Sequence, residues 1–210
     1  MTETFYHVDK HGELEAGESM ELEWPPRIKN RVITGSPDSN EEILKKEYPN
    51  GLSRHGARYA QSALIVDDGA LLNEGWEAMS GVFDFIDTEE GARGKQKTLP
   101  YQVQYEWIFE LIRRAEFEEA QSRFQSYYAW PSLEDAEQFI TEHRDENQAV
   151  FKLRCNKYEL HDMDLIQLSH IGSGLANARQ YWKGEAGSDT PTWEVVMEPP
   201  VDVVEQVDFP

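Results

Sequence analysis

The stretch Ser122-Arg-Phe-Gln-Ser-Tyr-Tyr-Ala-Trp-Pro-Ser-Leu-Glu-Asp-Ala-Glu-Gln-Phe139 decides how we expect this chain to fold. Tyr127, Tyr128 and Trp130 are bulky aromatic residues of the kind that is favoured on the pleated surface of a strand. Pro131 ends the predicted strand, because proline cannot donate to a sheet ladder. Since side chains alternate between the two faces of a strand, one of the two adjacent tyrosines is expected in the core.

A helix is predicted directly after this strand. Ser132 can cap it, with Asp135 three residues later as the reciprocal partner. Ala136 and Phe139 then fall on one face of the helix. Aromatic rings at the end of a strand, followed at once by a helix, offer a flat stacking surface at the edge of a cleft. The alternative is that these rings simply fill the core.

The charge balance of the chain is strongly acidic. Its 210 residues include 40 Asp and Glu against 20 Lys and Arg, a formal net charge of -20. Such a chain disfavours bare nucleic acid and anionic membranes as partners. At molar salt the screening length falls to about 3 Å, and the self-repulsion largely disappears. The composition therefore resembles that of proteins from extreme halophiles, archaeal or viral; an ordinary acidic cytosolic protein is the alternative.

Cysteine usage and hydropathy exclude several classes of protein. Cys155 is the only cysteine, which excludes an internal disulfide and a thiolate zinc site. No apolar run approaches the ~20 residues of a membrane span, and residues 1–7 lack the pattern of a secretion signal. We expect a soluble protein that works in the cytoplasm or is packaged in a virus particle.

Short strands and helices are mixed along the rest of the chain. The predicted strands cover residues 4–8, 20–24, 149–158, 192–197 and 201–207, and the predicted helices cover residues 41–48, a segment following 51–59, 101–120 and 173–182. Residues 65–98 are expected to be a variable insertion. No internal repeat or linker interrupts the chain, which predicts one α+β domain over residues 1–210.

The predicted helix over residues 101–120 has the clearest periodicity. Its expected core residues repeat at four-residue spacing, with Ile108 and Ile112 beside them: Val103, Trp107, Leu111 and Ala115. Its charged residues are expected at the rim or in solvent: Glu106, Glu110, Arg113 and Arg114.

Three features in order along the chain carry a resemblance to a known family. His7 lies inside the first strand, Tyr127 and Tyr128 lie in the aromatic strand, and Glu194 opens the late strand Thr-Trp-Glu-Val-Val-Met at 192–197. In order and character this resembles the His-Tyr-Glu branch of the ADP-ribosyltransferase superfamily. Residues 106–123 also look like a poorly characterised microbial and viral family of that fold. The resemblance implies a split pair of small antiparallel sheets with flanking helices.

The resemblance also implies roles for individual residues. His7 would hydrogen-bond the adenosine ribose of NAD, for which a neutral imidazole offers one donor and one acceptor. Tyr127, or Tyr128 in its place, would line the nicotinamide pocket, where an aromatic face suits a cationic ring. Glu194 would stabilise the positive charge that develops on the ribose when the nicotinamide bond breaks.

Further NAD contacts would come from Tyr6, Ser126 and Phe139, the last as the nearest candidate for a second stacking ring. Val8 departs from the pattern, because many members have glycine after the histidine. The implied function is an NAD-dependent ADP-ribosyltransferase acting on a protein or nucleic-acid acceptor. The alternative is an inactive binding or structural module of the same fold, for instance a component of a viral particle or another large assembly.

Other polar groups have competing interpretations. Glu159 is a second candidate for the carboxylate. A metal ion is disfavoured, although three neighbouring side chains offer ligands: His161, Asp162 and Asp164. A phosphate site near a helix start is the weaker interpretation of four further side chains, for which surface ion pairing is expected: Arg54, His55, Arg58 and Arg123.

Overall fold

The computed structural model describes residues 3–10, 12–24, 40–64, 101–143, 148–167 and 171–207. Its strands are β1 (Glu3–Asp9), β2 (Ser19–Met20), β3 (Tyr127–Ala129), β4 (Ala149–Cys155), β5 (Tyr158–Asp162), β6 (Trp193–Met197) and β7 (Val201–Val207). Its α-helices are α1 (Asn40–Glu47), α2 (Arg54–Leu64), α3 (Tyr101–Glu116), α4 (Leu133–His143) and α5 (Ile171–Trp182). The expected insertion at 65–98 lies outside the described residues.

Two small antiparallel sheets form the centre of the fold. One has four strands in the order β1-β4-β7-β2, and the other has three in the order β3-β6-β5. Helices pack around both sheets, so the predicted α+β class with two small antiparallel sheets is confirmed. The second strand is shorter than predicted, because it covers only Ser19–Met20.

The alternation of β4 sets the main core. Phe151, Leu153 and Cys155 are buried between the sheets, while Lys152 and Arg154 point outward, as the sequence predicts. The core cluster around them draws on both sheets: Phe5, Met20, Tyr127, Ala129, Val195, Met197, Val201 and Val203.

A backbone bridge connects the two sheets. Tyr6 of β1 donates its N–H to the carbonyl of Trp130 at 3.0 Å, and Trp130 returns an N–H to the Tyr6 carbonyl at 2.7 Å. Trp130 follows directly after β3, so β1 and β3 meet at this pair. A cleft lies beside this junction.

The predicted capping of α4 is confirmed. Ser132 Oγ accepts from the Asp135 N–H at 3.2 Å, and Asp135 Oδ2 accepts from the Ser132 N–H at 3.1 Å. Ala136 is buried, and Phe139 packs on the ring of Trp130 with 4.8 Å between centroids. This cap fixes where the helix leaves the aromatic strand.

The predicted inner face of α3 is correct in part: Ile112 is buried, and Trp107 and Ile108 pack on the core. Leu111 is 59% exposed, whereas Glu106 and Glu110 are buried at 4% and 0% exposure. The buried carboxylate of Glu110 is compensated by two hydrogen bonds. Its Oε2 accepts from Arg113 Nε at 3.0 Å and from the Ser122 hydroxyl at 2.9 Å. Polar contacts with Arg113, Ser122 and Arg123 therefore place these two carboxylates on the buried side of the helix.

The excess of carboxylates is spread along the whole sequence, which predicts that salt stabilises the fold. We expect the thermal midpoint to rise when KCl is raised from 0.1 to 2 M, because the net charge of -20 repels itself and screening shortens that repulsion. A variant with lysine at the exposed Glu15, Glu18 and Glu185 should show a smaller rise. A salt response equal in both proteins would contradict an electrostatic origin.

Within the residues described, no helix is both long enough and apolar enough to cross a membrane.

Candidate functional site

A cleft of about 240 Å³ lies beside the junction of β1 and β3. Its walls come from β1 and the loop after it, from the start of α2, and from β3. The lining residues are His7, Val8, Asp9, Lys10, Glu13, Leu14, Met20, Arg54, His55, Tyr127 and Tyr128. The structure thus brings together His7 and both candidate tyrosines in one cavity.

His7 has a defined tautomer. Its Nδ1 lies 2.7 Å from the carbonyl oxygen of Tyr128. A carbonyl oxygen only accepts hydrogen bonds, so Nδ1 carries the proton and Nε2 of the neutral ring is an acceptor. Burial lowers the pKa of His7, against the raising effects of the Tyr128 hydrogen bond and the Asp9 charge. The imidazole is therefore neutral near pH 7.

The two tyrosines use their hydroxyl groups internally. Tyr127 donates to the carbonyl of Glu21 at 2.7 Å, and Tyr128 donates to the carbonyl of Arg123 at 2.5 Å. Burial raises the pKa of Tyr127 to about 12 and that of Tyr128 well above its usual value. Both therefore contribute aromatic surface to the cleft rather than acid or base groups.

The register of the smaller sheet separates Tyr127 from Glu194. Tyr127 pairs with Met197 and Tyr128 with Val196, so Glu194, two residues before Val196, shares the face of Tyr128. Tyr127 lies on the opposite face, in the main core. The structure does not bring the two predicted catalytic residues together.

Glu194 is buried at 5% exposure and does not line the cleft. Its Oε1 accepts from Arg123 Nη1 at 2.5 Å and from the Tyr181 hydroxyl at 2.8 Å. The buried guanidinium of Arg123 thus pairs with this carboxylate and compensates its charge.

The other three predicted NAD contacts lie outside the cleft lining. Ser126 is fully buried, and its hydroxyl donates to the Ser122 carbonyl at 2.7 Å. Phe139 packs on Trp130, and Tyr6 packs in the same cluster. All three have structural roles around the junction.

Arg123 is the centre of a buried charged cluster behind Tyr128. It bonds both oxygens of Glu106, at 2.8 and 3.0 Å, as well as Glu194. Its guanidinium lies over the Tyr128 ring, 4.6 Å from the centroid. These carboxylates raise the pKa of Arg123 although burial opposes it. Sequence reasoning had assigned Arg123 to the surface or to phosphate, and the structure assigns it to this cluster.

His55 joins the charged cluster to the cleft. Its Nε2 is buried, 3.4 Å from Glu106 Oε1, which is an ion-pair distance longer than a well-formed hydrogen bond. Its ring packs against Tyr59 and Tyr128, with centroids 4.5 and 4.6 Å apart. Sequence reasoning missed Glu106 as a site residue, since its spacing on α3 places it among the rim charges.

The remaining candidate groups are occupied by structural contacts. The carboxylate of Asp162 accepts backbone N–H groups from Asp164, Gly187 and Thr192. His161 bonds the Tyr181 carbonyl and Glu159. No group of three metal-ligating side chains occurs within the described ranges.

Arg54 pairs with Glu13 and Glu23 at the cleft rim. The side chain of Arg58 lies outside the described part of the chain. Cys155 is buried, and burial raises the pKa of its thiol to about 11, which makes it unreactive.

The charged cluster predicts acid sensitivity. Burial by itself raises the pKa of Glu106. The charges and hydrogen bonds of Arg123 and His55 lower it by more than burial raises it, so the pKa falls to about 2. Because the pKa of Glu106 is lower in the folded than in the unfolded state, its ionised form adds to the free energy of unfolding above about pH 4.5. This contribution is lost as the pH falls towards 2. We expect urea unfolding to show a smaller loss over this window in Glu106→Gln than in the wild type. Equal losses would contradict the assignment.

The chain is similar to a described protein family. A protein-family model described as "Protein of unknown function (DUF2441)" matches residues 5–209. No match was found among curated proteins.

Proposed function

The chain belongs to the DUF2441 family, a family of unknown function, and we propose that it binds NAD in the cleft and transfers ADP-ribose to a macromolecular acceptor. The observation that carries the proposal is the hydrogen bonding of His7 in the cleft. Its Nδ1 is committed to the Tyr128 carbonyl, which leaves Nε2 as an acceptor for a ribose hydroxyl. The split pair of small sheets is also the arrangement that the family resemblance implies.

The cleft walls suit the two ends of a dinucleotide. Tyr127 and Tyr128 offer aromatic surface to a base or a cationic nicotinamide. A volume of about 240 Å³ is below the ~300 Å³ at which typical ligand pockets begin. The cleft therefore encloses one nucleoside, and the pyrophosphate extends to the rim, where Lys10 and Arg54 lie.

The charge of the chain favours one class of acceptor for the ADP-ribose group. A net charge of -20 repels nucleic-acid phosphates and attracts a basic partner. Of the two acceptor classes that the resemblance implies, a basic protein is therefore favoured over nucleic acid.

The second candidate is a binding module without transfer, and the placement of Glu194 favours it. In the first proposal Glu194 stabilises the oxocarbenium-like ribose, which requires its bond to Arg123 to open. In the second the carboxylate stays in the buried cluster and only holds Arg123 against the ring of Tyr128. The protein would then recognise the nucleotide, or serve as a subunit of a larger assembly.

Calorimetric titration with NAD and an assay of nicotinamide release test both candidates in 2 M KCl. We expect wild type to bind NAD and His7→Ala to bind at least tenfold more weakly, about 1.4 kcal/mol, because the ribose acceptor is lost. Glu194→Gln should bind NAD normally and release nicotinamide more slowly. The exposed Arg154→Gln serves as the matched control.

The possible outcomes separate the candidates. Binding without nicotinamide release in the wild type would select the binding module. Equal release by Glu194→Gln and wild type would remove Glu194 from the mechanism. Absence of NAD binding by the wild type would overturn the proposal as a whole.

A further inference from the structure

We propose that His55, positioned by Glu106, is the catalytic base of the cleft and takes the proton from the group that attacks the ribose. This inference rests on the proposed NAD-dependent function and identifies a residue that the family resemblance does not assign. The observation behind it is that a cleft-lining imidazole is backed by a buried carboxylate.

The orientation of His55 is defined by its surroundings. Nε2 lies 3.4 Å from Glu106 Oε1, so the proton of the neutral ring belongs on this nitrogen. Tyr59 and Tyr128 pack against the ring and hold its plane. No group in the described ranges hydrogen-bonds Nδ1, and this nitrogen is not buried in the way Nε2 is. In this cleft-lining ring the basic lone pair of Nδ1 is therefore not engaged by any described group.

Glu106 is held rigidly as an anion. Arg123 grips both of its oxygens, at 2.8 and 3.0 Å. The cluster behind it contains two carboxylates, Glu106 and Glu194, against the single guanidinium of Arg123. A positive charge formed on His55 during the reaction is thus placed beside an excess of carboxylate. A buried carboxylate that orients a histidine and stabilises its imidazolium is an established catalytic arrangement.

The step balances with water as the simplest acceptor. The water oxygen forms a bond to the ribose C1′ while the bond from C1′ to the nicotinamide nitrogen breaks, and its electron pair leaves with neutral nicotinamide. One water proton passes to His55 Nδ1. The positive charge of the pyridinium is thereby transferred to the imidazolium, which then releases the proton to solvent. With a macromolecular acceptor, a hydroxyl or amine takes the place of water.

Chemical rescue tests the assignment, with NAD alone as the probe and water as the acceptor. We expect His55→Gly to retain the NAD dissociation constant within threefold and to lose about 100-fold in kcat for nicotinamide release. Added imidazole should restore at least tenfold of that loss. His55→Gln, which keeps the volume of the side chain, should show the same kcat loss without rescue. Glu106→Gln should lose less than His55→Gly.

Two controls separate a base from a structural residue. His7→Ala should lose NAD affinity and gain nothing from imidazole. Thermal midpoints of all variants show whether each one folds. Unchanged kcat in His55→Gln, or a loss in a folded His55→Gly that imidazole does not restore, would overturn the inference while the NAD function stands. A wild type that fails to bind or turn over NAD would overturn both.

Discussion

Arg123→Met is expected to destabilise the fold by about 3–5 kcal/mol, measured as the free energy of unfolding in urea. The substitution leaves Glu106 and Glu194 buried at 4% and 5% exposure without their shared cation. Breaking a buried ion pair from one side leaves an uncompensated charge, which is among the most costly single changes. Tyr128 also loses the guanidinium that lies over its ring.

The matched controls for Arg123 distinguish burial from charge. Arg179→Met removes an exposed ion pair with Glu116 and should cost less than about 1 kcal/mol. The triple variant Arg123→Met with Glu106→Gln and Glu194→Gln should recover much of the loss, because no unpaired charge remains. A single Arg123→Met that costs no more than Arg179→Met would show that the cluster does not stabilise the fold.

Local patterns in the sequence predicted much of the fold. The alternation of β4 and the serine–aspartate cap of α4 were sufficient, because strand pleating and helix capping depend on residues close in sequence. The burial of Glu106 and Glu110 on α3 could not be predicted in this way. Glu110 bonds Ser122 and Glu106 bonds Arg123, partners that only the tertiary fold brings into contact.

The residues of the cleft were also predicted only in part, because their arrangement depends on tertiary contacts. His7 and the two tyrosines line one cavity, whereas Glu194, which the resemblance assigns to the same site, does not line it. The alternation of Tyr127 and Tyr128 was also foreseen, but it leaves open which one shares a face with Glu194. That depends on the register between β3 and β6, which pairs Tyr128 with Val196. Register is a tertiary property that a short strand does not specify by its own sequence.

Gly56→Ala is the second change with a large expected effect. Alanine in a helix normally stabilises relative to glycine by up to about 1 kcal/mol. At Gly56, however, an added Cβ would lie 1.9 Å from the carbonyl oxygen of Phe124 and 2.5 Å from its carbonyl carbon. Backbone atoms must separate to admit it, so we expect a loss of about 3 kcal/mol or more in the free energy of unfolding.

The control for Gly56→Ala is Gly172→Ala, an exposed position in α5, which should be neutral or stabilising.

The close contact of Gly56 with Phe124 also sets the position of α2, and with it the position of His55 in the cleft. Ser53, at the start of α2, bonds the same Phe124 carbonyl through its N–H at 3.0 Å and its hydroxyl at 3.2 Å. Forcing α2 away from Phe124 therefore moves His55 away from Glu106. If Gly56→Ala kept wild-type stability, the close approach of α2 to residues 123–125 would be wrong, and the alignment of His55 with Glu106 would lose its support.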